Sequence, residues 1–170
     1  MNKKFAFMRI IAIGVFLLSS QFIKADDEIS YILNSNPAPS GVVFEMLTHE
    51  ESSWPVALTY IQKSAERLRT KFPDMPVVIV SHGMEEFALV KSSDVANVKV
   101  QKKVQSLLKN NIKVEVCGTF AEWNGYESKD FPEYITVVDQ APVSIDFYEQ
   151  DGFEVIVITE DKLESLQNSQ

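Results

Sequence analysis

The sequence predicts a single α/β domain with a mostly parallel, five-stranded sheet and helices on both faces. Five short apolar segments alternate with segments of helical length, and parallel strands require connections of that length. The 170 residues, 45% hydrophobic and 24% charged, are enough for one domain with a substantial core. The predicted strands are 42–47, 77–80, 112–116, 134–138 and 153–158.

The first long helix is predicted from residue spacing. Ser52 and Ser53 are candidate N-caps, and Pro55 suits the first helical turn. Apolar residues separated by steps of three and four then form one helical face: Trp54, Leu58, Ile61, Ala65, Leu68 and Phe72.

The remaining connections also have helical patterns. We predict a short helix over 84–90, a helix over 94–110 with Asp94 as its cap, a turn and short helix over 118–124, and a helix from Pro142 to Gly152. Residues 26–40 are predicted to be a short helix or coil followed by a linker, and 161–170 a polar, irregular tail after a domain over 41–160.

The first 25 residues have the pattern of a signal peptide. Lys3, Lys4 and Arg9 form a basic start, and the apolar run 10–20 has the length of a signal core rather than the roughly 20 residues of a bilayer span. A cut after Ala25 would give a periplasmic or secreted protein without a membrane span. An uncleaved anchor and a buried N-terminal helix are the alternatives.

The charge of the chain excludes some classes of partner. The net charge is −8, and residues 1–25 hold four of the 16 basic residues and no acidic one. The remaining 12 basic and 24 acidic residues give −12. Such a surface repels nucleic acid and anionic membranes, so neither is expected as a partner.

Three reactive side chains follow predicted strands directly. Cys117 ends the third strand, His82 follows the second, and His49 follows the first. In parallel sheets these strand ends share the carboxyl edge, where ligands usually bind. Since Cys117 is the only cysteine, it is a buried inert thiol, an intermolecular partner, a metal ligand or a reactive group.

The order of elements and several short motifs resemble the DsrE/DsrF-like sulfur-relay family, which includes YchN-like proteins. The resemblance covers roughly 41–158. It rests on the opening strand and its helix from Trp54, on the motif 78–83 that ends in His82 and Gly83, on 114–118 that ends in Cys117 and Gly118, and on the helix-to-strand step 145–153.

The resemblance implies a function. It makes Cys117 the candidate acceptor of sulfur, carried as a persulfide, and it implies a homo-oligomer, either a trimer or a hexamer. The expected partners are sulfur donor and acceptor proteins or small sulfur species. The protein would be a sulfurtransferase or a sulfur carrier, without a cofactor.

The candidate catalytic residues are therefore Cys117 and His82. A helix beginning at Gly118 would favour the reactive thiolate, and His82 would stabilise an anion or serve as a general base. A histidine bonded only to backbone carbonyls is the alternative for His82. The candidate ligand-binding residues are His49, Gly83, Gly118, Thr119, Trp123 and Asn124.

Three other interpretations stay open or are set aside. Cys117, His82 and His49 together could bind copper or zinc, but their spacing matches no metal motif, so we predict no metal site. The adjacent acids Glu85 and Glu86 are interpreted as part of a solvated face. The alternative function is a non-enzymatic module of the same fold that binds a small ligand or metal, or forms a structural oligomer.

Overall fold

The computed structural model describes residues 26–92 and 94–168, so the predicted signal peptide lies outside the described residues. Five strands form one sheet in the order β4-β3-β2-β1-β5, and every neighbouring pair is parallel. The strands are β1 (Gly41–Met46), β2 (Val77–Ser81), β3 (Ile112–Cys117), β4 (Thr136–Val138) and β5 (Phe153–Ile158). The predicted fold class is confirmed.

Six helices surround this sheet in the described residues. They are α1 (Asp26–Asn34), α2 (Trp54–Lys71), α3 (Val95–Lys109), α4 (Gly118–Trp123), α5 (Ala141–Gln150) and α6 (Glu160–Asn168). Short 3-10 helices cover Glu51–Ser53, Met84–Leu89 and Ser128–Asp130. None of the helices in the described ranges is long and apolar enough to cross a bilayer.

The two faces of the sheet are covered unequally, because alternate strand residues point to opposite faces. One face carries Phe44, Ile79 and Val114 and is buried under side chains of α1, α2, α3 and α6 in the main core. The other face has a smaller core, in which strand residues such as Val43 and Val80 pack against α5. Cys117 belongs to this smaller core.

Local sequence features mark the boundaries of α3 and α5. The Asp94 side chain accepts hydrogen bonds from the N–H groups of Ala96 and Asn97, at 2.8 and 3.3 Å, and so caps α3. Asn111 adopts a left-handed conformation after that helix, with φ 55°. Gly152 has φ 83° and forms the turn from α5 to β5.

The structure differs from the sequence-based expectation at two places. Residues after 160 form α6, because the single buried side chain Leu163 gives this polar segment an apolar contact with the core. Glu85 and Glu86 are fully buried rather than solvated, so that interpretation is wrong. The 3-10 helix that carries them turns both carboxyl groups inward, where backbone N–H groups bind them.

Candidate functional site

Cys117 ends β3 and His82 directly follows β2, its neighbouring strand, at the carboxyl edge of the sheet. The last registered pair of β2 and β3 is Ser81 with Val116, so His82 and Cys117 are the next positions on the two strands. Neighbouring strands are about 4.8 Å apart. Two of the reactive residues predicted from the sequence therefore occupy the ends of neighbouring strands at one edge of the sheet.

The sulfur of Cys117 lies at the N-terminus of a helix. The backbone N–H of Ala141, the first residue of α5, donates to Cys117 Sγ with a distance of 3.5 Å. Free N–H groups and the helix dipole make such a position favourable for negative charge. The residue keeps 5% of its surface exposed, so little room exists for a ligand before the neighbouring segments move.

His82 is bound by a carboxylate that the sequence analysis did not select. Its Nε2 atom lies 2.7 Å from Oε1 of Glu45 on β1, and the exposed fractions of the two side chains are 13% and 19%. The backbone N–H of His82 donates to Met46 O, which fixes the strand end. Glu45 lies on β1, His82 follows β2 and Cys117 ends β3, so the three residues come from the ends of three adjacent strands.

Glu86 contacts Cys117 through its backbone. Oε2 of Glu86 accepts the Cys117 N–H at 3.1 Å, whereas Oε1 has no hydrogen-bond partner. The carboxyl group is fully buried. Burial, with a contribution from the neighbouring Glu85, raises the pKa of Glu86 to about 8, although the Cys117 N–H acts in the opposite direction.

Glu85 has a different role at the same edge. Its carboxylate accepts hydrogen bonds from Thr48 N and Oγ1, Ser81 Oγ and Gly83 N, all between 2.8 and 3.0 Å. Its backbone carbonyl accepts the indole N–H of Trp54 at 2.7 Å. Glu85 thus ties the ends of β1 and β2 to the start of α2.

Glu115 anchors α5 to the sheet two residues before Cys117. Its buried carboxylate accepts hydrogen bonds from Ser144 Oγ at 2.6 Å and Tyr148 OH at 2.9 Å, and pairs with Lys113 Nζ at 2.6 Å. Burial and the Glu115 carboxylate raise the pKa of Tyr148. Burial lowers the pKa of Lys113, but the hydrogen bond and charge of Glu115 outweigh it and the net shift is upward.

His49 is placed apart from the other two reactive residues. Its side chain is exposed, and its backbone N–H donates to the carboxylate of Glu160, at the start of α6. That N–H lowers the pKa of Glu160. Because β5 lies beyond β1 on the side away from β3, His49 does not join Cys117 and His82.

The two glycines at the edge allow close packing. A Cβ atom at Gly83 would lie 2.3 Å from Thr48 O, and one at Gly118 would lie 3.0 Å from Val138 O. Gly83 is buried against the β1 end, so it faces protein rather than an open ligand site. Gly118 lets the end of β4 approach the chain immediately after Cys117.

The remaining candidate ligand residues lie on or next to α4. Thr119 binds Asp139 O through both its N–H and its hydroxyl, at 3.0 and 2.8 Å, which ties α4 to the segment before α5. Asn124 donates to Phe120 O and ends the helix. Trp123 has 79% of its surface exposed and is available to an external partner rather than lining a closed pocket.

Neither a metal cluster nor the cavity between α2 and α3 involves the predicted site residues that the structure describes. Within 26–92 and 94–168, no group of three or more Cys, His, Asp or Glu side chains is placed to hold a metal ion. A cavity of about 840 Å³ lies between the starts of α2 and α3, with Pro55, Val95 and Val100 among its lining residues. None of the predicted site residues lines this cavity.

Three acidic residues of the site were missed in the sequence. Glu45 and Glu115 interrupt otherwise apolar strands, and such isolated acids in buried strands are a usable signal for a bound partner. Glu86 gives no comparable signal, since two adjacent acids before an apolar segment are equally typical of a surface. The Ala141 contact with Cys117 depends on the position of α5 and requires the fold.

Comparison with known proteins supports the fold. No family model matches the sequence, and no curated protein matches it significantly. Solved structures do match. A protein of unknown function, MTH1491 from Methanobacterium thermoautotrophicum, superposes with a TM-score of 0.57 and 18% identity over 69% of this chain and 97% of its own.

Two further structures give the same result. The conserved protein of unknown function BT1422 from Bacteroides thetaiotaomicron has a TM-score of 0.50 and 18% identity, over 69% of this chain and 94% of its own. The ychN protein from E. coli has a TM-score of 0.51 and 14% identity, over 69% and 99%. The chain therefore has the same fold as the ychN protein and these two other structures, in agreement with the fold that its sequence predicted.

Proposed function

We propose that the protein is an exported sulfur-handling protein in which Cys117 accepts a sulfur atom as a persulfide and passes it on. The observation that carries this proposal is the position of Cys117 Sγ, which accepts the first N–H of α5 at 3.5 Å. Both a thiolate and a persulfide anion are favoured at a helix N-terminus. The neighbouring His82 adds a second group that can interact with an anion.

The chemistry needs no redox cofactor. The Cys117 thiolate attacks the outer sulfur of a donor persulfide, the donor S–S bond breaks, and its electron pair leaves on the donor thiolate, which takes up a proton. A new S–S bond then joins Cys117 to the transferred sulfur. Attack by an acceptor thiolate on that outer sulfur repeats the exchange and regenerates Cys117, so no net oxidation occurs.

His82 assists by electrostatics in this proposal. When protonated, its imidazole is a cation on the strand next to Cys117 and favours the sulfur anion. Glu45 holds one ring nitrogen at 2.7 Å and so fixes the orientation of the ring. Glu45 therefore acts through His82.

The partners belong to the same proposal. Sulfur donor and acceptor proteins or small sulfur species would meet Cys117 in the periplasm or outside the cell. Two exposed apolar side chains of α5, Phe147 at 64% and Val143 at 45%, support self-association, and the oligomer that we propose is a trimer or hexamer. Assembly through this surface would cover the thinly covered face of the sheet.

The low exposure of Cys117 favours one alternative function. A thiol with 5% of its surface exposed suits a silent structural position in a non-enzymatic binding or structural module. The two functions differ in the reactivity of one thiol in the folded protein.

The deciding experiment measures that reactivity. The rate of alkylation of Cys117 is followed as a function of pH, and intact mass is recorded before and after incubation with polysulfide. Sulfur transfer predicts rapid alkylation and the mass gain of one sulfur atom, which Cys117→Ser abolishes. Alkylation that occurs only on unfolding, with no mass gain, would reject the proposal. Labelling blocked by added metal and restored by a chelator would identify a metal site instead.

A further inference from the structure

Two adjacent buried acids, Glu85 and Glu86, have opposite environments. Glu85 accepts four hydrogen bonds and is therefore well solvated by protein groups. Glu86 accepts one, from the Cys117 N–H, and its Oε1 atom has no partner although the side chain is fully buried. An ionised carboxylate is costly in such a position, whereas a neutral carboxyl group is tolerated. The environment of Glu86 therefore favours the acid that keeps its proton.

The neutral acid is bound directly to the candidate reactive residue. Oε2 of Glu86 lies 3.1 Å from Cys117 N, at the point where β3 extends past the end of β2. In a continuing sheet this N–H would bind a strand carbonyl, and Glu86 takes that place. Since both carboxyl oxygens share one carbon, the unpartnered Oε1 also lies beside the Cys117 backbone.

We infer that Glu86 is a positioning residue of the Cys117 site. In its neutral form it holds the end of β3. Of the Glu86 carboxyl group and the Cys117 sulfur, only the sulfur then carries negative charge. The inference rests on the proposed function for the persulfide form and extends it to the control of charge at the site. It makes sulfur chemistry at Cys117 dependent on the protonation of a second, buried residue.

The electrostatic reason is the proximity of two acids in a buried environment. If Glu86 loses its proton, its carboxylate and a Cys117 thiolate or persulfide place two negative charges next to one backbone N–H. The Ala141 N–H and His82 favour the sulfur anion, but Glu86 accepts its hydrogen bond from the Cys117 N–H and from neither of them. Glu85, from the same 3-10 helix, adds negative charge and raises the pKa of Glu86. On the β1–β2 side, His82 is already engaged by the Glu45 carboxylate.

The consequence is a limited pH range. With the pKa of Glu86 raised to about 8, the acid is neutral at neutral pH and becomes ionised above it. Below that value the sulfur can be anionic without repulsion. Above it, the negative carboxylate opposes the sulfur anion, although higher pH alone favours thiolate formation. As the pH rises, thiolate formation increases the reactivity of Cys117 and repulsion by ionised Glu86 decreases it, so the two effects can be separated.

The test compares the intact protein with Glu86→Gln. Glutamine keeps an oxygen acceptor for the Cys117 N–H and cannot ionise. Alkylation rates and the yield of persulfide with polysulfide are measured from neutral to alkaline pH. We expect similar rates in both proteins at neutral pH. Above about pH 8 the alkylation rate of the wild type should be roughly tenfold lower than that of Glu86→Gln. Glu133→Gln, which removes one charge from an exposed loop position, should follow the wild type.

Two outcomes would overturn the inference. Superimposable pH profiles of the wild type and Glu86→Gln would show that the charge of Glu86 does not reach the sulfur. The second outcome comes from infrared spectra at neutral pH. If the wild type has no protonated-carboxyl band that disappears in Glu86→Gln, Glu86 is already ionised. If neither protein takes up sulfur, the proposed function fails, while the alkylation profiles still decide the role of Glu86.

Discussion

The imidazole Nε2 atom of His82 lies 2.7 Å from Oε1 of Glu45, and both side chains are mostly buried. The contact joins the end of β2 to β1 on the face covered by α5. A carboxylate that binds one ring nitrogen fixes the orientation of the imidazole. The ring therefore has a fixed position on the strand next to Cys117.

We expect Glu45→Gln to slow sulfur uptake at Cys117 by about tenfold, because the imidazole loses the carboxylate that orients it. His82→Gln should slow it at least as much. The measurement is the initial rate of persulfide formation with polysulfide, followed by intact mass.

The double variant supplies the control for this prediction. If Glu45 acts through His82, the variant with both changes should be no slower than His82→Gln alone. Losses that multiply in the double variant would show that Glu45 and His82 act independently.

Ala141→Pro tests the hydrogen bond to the sulfur. Proline lacks an N–H group but suits the first position of a helix, and the preceding residue Gln140 is already extended, with φ −139° and ψ 120°. The loss of the 3.5 Å contact with Cys117 Sγ, together with displacement of the sulfur by the ring Cδ that replaces the N–H, should lower the alkylation rate at neutral pH by roughly three- to tenfold. Circular dichroism checks that the fold is kept.

Ala141→Gly is the matched control, because it keeps the N–H and changes only the side chain. It should alkylate nearly as fast as the wild type. Equal slowing in both variants would mean that packing of the buried Ala141 side chain, rather than its N–H, sets the reactivity of Cys117.

The strand ends and their reactive residues could be predicted from the sequence because they depend on local pattern. Apolar segments located β1, β2 and β3, and parallel connections then put Cys117 and His82 on one edge. The same reasoning grouped His49 with them. It could not show that the segment after β1 turns toward β5, where the His49 N–H meets Glu160.

The roles of the acids required the fold. Whether Glu86 faces solvent or Cys117 depends on the path of one 3-10 turn, and residue type does not reveal that path. Glu115 is different, because its position in an apolar strand already indicates a buried partner. Its partners Ser144 and Tyr148 come from α5, which the sequence alone does not place above β3.

Gly83→Ala should destabilise the fold strongly. A Cβ atom there would lie 2.3 Å from Thr48 O and 2.4 Å from Glu85 Oε2, so the backbone of two strand ends would have to separate. We expect the free energy of unfolding to fall by about 3 kcal/mol in urea denaturation.

Gly125→Ala is the comparison for that measurement. Gly125 has φ 84°, and a Cβ atom there would have no neighbouring atom within 4 Å, so the cost is backbone strain alone, about 1 kcal/mol. If both variants lost the same stability, close packing at Gly83 would not be the cause.

Removal of Glu115 should loosen the attachment of α5. In Glu115→Ala, the hydroxyl groups of Ser144 and Tyr148 lose their acceptor in a partly buried site, so unfolding free energy should fall by about 3 kcal/mol. Tyr148→Phe removes only one of these bonds and should cost about 1 kcal/mol. If Glu115→Ala and Tyr148→Phe lost the same unfolding free energy in urea denaturation, the whole effect would come from the Tyr148 hydrogen bond.

Glu86 makes a prediction about stability that does not depend on sulfur chemistry. Its pKa is raised from 4.5 in the unfolded chain to about 8 in the folded protein, chiefly by burial. The folded state therefore binds the proton more tightly. The contribution of protonated Glu86 to the free energy of unfolding is fully present below about pH 4.5. It is lost progressively as the pH rises toward about 8.

Glu86→Gln should remove this loss, because the amide has no proton to release. Relative to the wild type, the variant should gain unfolding free energy between about pH 4.5 and about pH 8, by several kcal/mol in total. Urea denaturation across this range measures the difference, with Glu133→Gln as the exposed control. A constant difference between wild type and Glu86→Gln would mean that Glu86 titrates alike in the folded and unfolded chains. Burial beside Cys117 would then not determine its charge.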